Sequence, residues 1–145
     1  MRKLLSERFA AIGILLILSA IVVFHFLIIA GIIPFGIVWG GRLQSHAEMI
    51  KFETVSVLLN LVMIAIVSIK AGLLKLNLKP FILKVSFWFM TILFTLNTIG
   101  NLFSTNSLET LIFTPLTLIL AIFSFRLALS KEQQINFSAD QDKNL

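Results

Sequence analysis

FAAIGILLILSAIVVFHFLIIAGIIPFGIVWGG, residues 9–41, carries no formal charge from one end to the other. A helix needs only about 20 apolar residues to cross the hydrocarbon core of a bilayer. This run exceeds that length, so its reading decides the fold. The basic stretch before it, MRKLLSERF, has the look of a signal-peptide n-region. Yet the h-region of such a peptide spans about 7–15 residues and ends at a small-residue cleavage site, which is missing here. The expectation is a retained membrane helix over 9–33, stopped by Pro34 because proline has no amide hydrogen to continue the ladder.

The rest of the chain repeats the pattern. Of the 145 residues, 58% are hydrophobic and 13% charged, whereas soluble domains carry about 25% charged residues. That excess of apolar side chains calls for a surface that meets lipid. Further helices are expected over 51–70, 81–100 and 109–128. The uncharged part of the second is short for a crossing, so the charges at its ends must snorkel to the interface. Lys84 does the same at the start of the third. The fold class is therefore an all-α integral membrane protein, a four-transmembrane-helix bundle occupying 1–129. A polar tail over 130–145 is too poor in apolar residues to fold by itself.

Charge placement sets an expected orientation. Ten of the twelve basic residues fall before the first helix, around the 71–79 loop or after the fourth helix. Only Arg42 and Lys51 fall on the other side. The positive-inside rule then places both termini in the cytoplasm of a cell carrying this protein in its plasma (inner) membrane. A net charge of +5 does not mark a nucleic-acid binder, because the basic residues form no stripe interleaved with aromatics. Absence of cysteine removes disulfides, thiolate nucleophiles and Cys-ligated zinc.

A weak internal likeness runs through the chain. With Glu53 laid over Glu109, Thr54 meets Thr110, Ala65-Ile66 meets Ala121-Ile122, Ser68 meets Ser124, and Lys70 meets Arg126. With a gap, GRLQS at Gly41 lies over GNLFS at Gly100. Two readings stay open: tandem duplication of a helical hairpin, or chance likeness between apolar helices. Duplication would relate the two halves by an axis along the membrane normal.

Polar groups inside membrane helices are costly and single out candidate sites. Glu53, Ser56 and Asn60 share one helical face. Thr91, Thr95 and Thr98 share another, as do Asn97 and Asn101; Thr110, Thr114, Thr117 and Ser124 line the fourth helix, and His25 lies in the first. Hydroxyl stripes of this kind commonly serve packing, each bonding a carbonyl one turn back. Glu53 and Glu109 fit helix starts, where the macrodipole favours a carboxylate. The sharper reading pairs Arg42 with one of them, leaving the other free to bind a cation or carry a proton. His25, Arg42, Glu53, Asn60, Asn97, Asn101 and Glu109 thus form a candidate polar site in the outer half of the bundle, with Trp39 as an interfacial anchor in a poorly helical, dipping segment. No metal-ligand spacing, cofactor motif or nucleophile-base pair accompanies them.

Three functions are compatible with this pattern. The first is a non-enzymatic binding or accessory protein for a partner membrane protein, a lipid or a small amphiphile. The second is an oligomeric proton- or cation-linked transporter with Glu53 as coupling carboxylate. The third is a lipid head-group enzyme using His25, Glu53 and Asn97. Expected partners are the lipid bilayer, a second copy or another membrane protein.

Overall fold

A computed structural model describes residues 6–130. The expected tail over 130–145 lies, but for Ser130, outside the described residues. Within them the chain forms α1 (Glu7–Ile29), α2 (His46–Lys70), α3 (Pro80–Leu102) and α4 (Thr114–Ala128), the last entered through a π-turn, Glu109–Phe113. Each of the four, counting the π-turn with α4, is long and apolar enough to cross a membrane. Together they make a four-helix bundle, and its lipid-like surface is plain in residues such as Leu16 and Leu111, which are 68% and 76% exposed.

The boundaries differ from expectation for local reasons. α1 stops at Ile29, short of Pro34, because Gly31 takes φ +74° and Ile32 donates back to the Leu27 carbonyl at 3.0 Å. That closes a Schellman-type turn. α2 begins at His46 rather than near 51. Ser45 Oγ accepts from the Glu48 amide at 3.2 Å, and Glu48 turns back to accept from the Gln44 amide at 3.0 Å, a capping-box arrangement. α3 runs from Pro80, set at a helix start where proline's missing donor is harmless, to Leu102. In α4, Pro115 cannot donate one turn back. The preceding turn widens so that Thr114 bonds the Glu109 carbonyl five residues away, a π-turn.

Antiparallel neighbours α1/α2 and α3/α4 pack along their lengths, and α1 packs on α4, whereas α2 and α3 touch little. At the end of the bundle that carries the termini, one core joins all four helices, including Leu18, Val67, Phe87 and Leu120. A smaller cluster of Ile28, Val38, Leu43 and Met49 closes the opposite end. Small residues let α1 approach α4: a Cβ on Gly13 would stand 2.3 Å from the Phe123 ring. Such close crossings are how membrane helices gain packing energy where lipid offers no hydrophobic drive.

At the termini end, Glu7 lies 3.5 Å from Arg126 and 3.9 Å from Lys70. Both cations that the internal likeness superposes thus converge on one carboxylate.

Candidate functional site

The site starts from the spacing of one helix. Met49, Glu53, Val57, Asn60, Met63 and Val67 recur every three or four residues and are all buried. Glu53 therefore sits on the inward face of α2, two turns inside its start, and is wholly enclosed. This overturns the helix-start reading of Glu53. A carboxylate so placed requires donors. His25 Nδ1 lies 2.5 Å from Glu53 Oε2, and the Trp39 indole donates to Oε1 at 2.8 Å.

Glu109 is handled in parallel. It opens the π-turn before α4 and is 7% exposed. The Gly40 amide donates to both its oxygens, at 3.1 and 2.9 Å, and the Ser104 hydroxyl donates to Oε2. Consecutive residues, Trp39 and Gly40, therefore clasp the two carboxylates that the internal likeness superposes. The backbone geometry needed for this is unusual. Trp39, Gly40 and Gly41 all take positive φ, at 56°, 64° and 70°. For a tryptophan such a conformation costs about 1–3 kcal/mol, which the hydrogen bonds that satisfy two buried carboxyl groups can offset. Asn106 adds a third tie, donating to the Ile37 carbonyl at 2.7 Å. Residues 34–41, two short 3-10 turns, thus form a strap over the end of the bundle. The segment is poorly helical, as expected, and Trp39, 41% exposed, is both a surface aromatic and the donor that secures Glu53.

Beneath the strap lies a cavity of about 860 Å³. It occupies the space where α2 and α3 separate, and Leu59 and Leu96, 43% and 61% exposed, stand on its walls. All seven candidate residues named from the sequence line it: His25, Arg42, Glu53, Asn60, Asn97, Asn101 and Glu109. Aromatic walls come from Phe24, Trp39, Phe52, Phe94 and Phe113.

Individual roles within the group differ from expectation. Arg42 is exposed and pairs with neither carboxylate; Glu53 is met by His25 and Trp39, and Glu109 by Gly40 and Ser104. It makes no ion pair among the described residues. Asn60 bonds its own helix, donating to the Ser56 carbonyl at 2.7 Å, and so does not join helices. That part falls to Asn101, whose amide reaches Thr117 Oγ1 at 3.4 Å beside a Thr98–Thr117 bond of 3.0 Å. Asn97 is exposed to the cavity. The α3 hydroxyls of Thr91, Thr95 and Thr98 each bond the carbonyl four residues back, the packing behaviour expected of such stripes. The Ser124 and Thr114 hydroxyl oxygens are buried without a hydrogen-bond partner among the described residues. His46 and Glu48 stay exposed. Among the described residues no three His, Asp or Glu side chains converge as metal ligands.

Sequence reasoning passed over Gly40, Ser104 and Asn106. The last two had a visible signal: STNS, residues 104–107, is a turn-forming run whose side chains bond nearby backbone, as Asn106 does to Leu108 N at 2.9 Å. Gly40 had none, since its contribution is a backbone amide.

No known protein family, curated protein or solved structure matches this chain.

Proposed function

We propose that this protein is a non-enzymatic binder of a membrane-dissolved amphiphile, holding the apolar part between α2 and α3 and the polar part beneath the strap. The observation that carries this reading is the cavity: its mouth lies between apolar helix faces at Leu59 and Leu96, and its floor is polar. Ligand pockets combine such apolar walls with a few convergent polar groups. A volume of about 860 Å³ suits a head group and the first part of a chain. The charge asymmetry supports a plasma-membrane orientation with cytoplasmic termini, which puts the strap on the outer side.

Photo-crosslinking tests this reading. A diazirine-bearing amphiphile in bilayers should label Leu59, Asn97 and Phe94 ahead of the lipid-facing Leu16 and Leu118. Even labelling over all exposed apolar positions would sink it.

A second reading, a proton-linked transporter working as an oligomer, is favoured by the His25–Glu53 contact at the cavity wall. Imidazole and carboxylate can exchange a proton there, so a bound cargo that competes for Glu53 would displace it. Glu53→Gln keeps an acceptor for Trp39 but removes the charge. It should abolish proton-driven flux in proteoliposomes; flux equal to that of the parent protein rejects the transporter.

A further inference from the structure

Three carboxylates, Glu48, Glu53 and Glu109, line the cavity with Arg42. Glu53 is met by His25 and Trp39, and Glu48 by the Gln44 amide at the start of α2. That leaves Glu109 and Arg42 as the two groups to account for. Glu109 is buried, and its donors are an amide and a hydroxyl, with no cation among them. Arg42 lines the same cavity and has no carboxylate partner among the described residues. The two are neighbours across one turn. A Cβ placed on Gly40 would sit 3.5 Å from Arg42 Nε and 4.0 Å from the Ser104 oxygen that serves Glu109. A carboxylate and a guanidinium this near would ordinarily pair. Here they form no ion pair among the described residues, and the Gly40 amide donates to both oxygens of Glu109.

We infer that the amphiphile is a phosphate–ammonium zwitterion, a phospholipid whose phosphate meets Arg42 and whose ammonium meets Glu109. This deepens the amphiphile reading above and rests on it. Guanidinium matches phosphate in shape as well as charge, donating through a planar fork. On the other side, Asn97 and Asn101 offer amide oxygens to an ammonium beside Glu109, and the Phe24 and Phe113 rings, 5.1 Å apart, offer π faces. Desolvating either charge alone would leave the opposite protein charge unanswered, which is costly in a low-dielectric site. A zwitterion answers both. A purely anionic head group leaves Glu109 facing like charge, and a purely cationic one does the same to Arg42. Acyl chains leave through the mouth at Leu59 and Leu96 into the bilayer.

The test uses native mass spectrometry of the full chain, released from nanodiscs holding equal amounts of lipids with identical acyl chains. These are phosphatidylethanolamine, phosphatidylcholine, phosphatidylglycerol, a diacyl trimethylammonium and diacylglycerol. The two zwitterions should be retained over each of the others by about tenfold, the ratio that 1.4 kcal/mol produces. Arg42→Gln should erase the preference over the trimethylammonium lipid, and Glu109→Gln the preference over phosphatidylglycerol. If Glu109→Gln loses its fold, Arg42→Gln still decides, because Arg42 is exposed and outside the packed core. Unchanged selectivity in Arg42→Gln overturns the proposal. Diacylglycerol retained as well as the zwitterions also overturns it, while leaving the amphiphile reading intact. Retention of no lipid at all removes both.

Discussion

The seam between α1 and α4 and the seam between α2 and α3 would be equivalent if the two halves were related by a two-fold axis along the bundle. They are built in opposite ways. In the first, Gly13 meets the Phe123 ring and Ala10, Ala11 and Ala121 are buried, so the backbones close with no room between them. In the second, the helices meet near the termini at Met63, Val67, Phe87 and Met90, then part. Asn60 and Asn97 face the gap, which becomes the cavity. Small residues let helices approach closely in lipid. The difference teaches that the site lies at the seam that does not close: α1 and α4 pack tightly, and α2 and α3 leave a gap.

Overfilling the closed seam should give the largest effect. Gly13→Leu places a side chain where even a Cβ would overlap Phe123. Overpacking of this kind costs about 1–3 kcal/mol, and a clash this deep belongs at the upper end. A fall in the thermal midpoint in detergent, read by circular dichroism, checks it. A midpoint equal to that of the parent would mean that α1 and α4 do not cross as closely as described.

The strap ties the open side and should respond less. Gly40→Ala meets only ordinary contacts, at 3.5 Å from Arg42 Nε, so its effect is that of an L-residue held at positive φ. That is about 1–2 kcal/mol. Hydrogen exchange should rise at Trp39 and Gly40 while the termini-end core stays protected. Exchange spread evenly over the bundle would show that the strap is not a separate unit.

Much of this arrangement was legible beforehand, and the boundary between legible and hidden has a physical basis. Four crossings follow from composition and length, which the bilayer constrains strongly. The gathering of His25, Glu53, Asn60, Asn97, Asn101 and Glu109 at one level follows from helix depth and face, which spacing encodes. Pairing was not legible. Arg42 looked like the partner of a carboxylate because charge counting puts it, with Lys51, at the same end of the bundle as Glu53 and Glu109. The actual donors include a backbone amide at Gly40 and an indole at Trp39, and their reach depends on three successive positive φ angles. No local pattern specifies that a tryptophan will adopt one. The start of α2 is legible in Ser45–Glu48, a capping box that lies ahead of the point where hydrophobicity begins.

The smallest expected effect on stability tests the open seam itself. Asn97 is exposed on the cavity wall and supports no other side chain, so Asn97→Phe should change the unfolding midpoint by no more than a surface substitution does, within about 0.5 kcal/mol. Its ring nevertheless occupies the gap between α2 and α3. Crosslinking of the diazirine amphiphile at Leu59 should fall, whereas labelling at Leu16 on the lipid face of α1 should not. Added bulk at Gly13 should lower the midpoint, whereas at Asn97 it should only reduce labelling by the amphiphile. If Asn97→Phe instead destabilises as much as Gly13→Leu, then α2 and α3 close in the bilayer, and the two seams are alike after all.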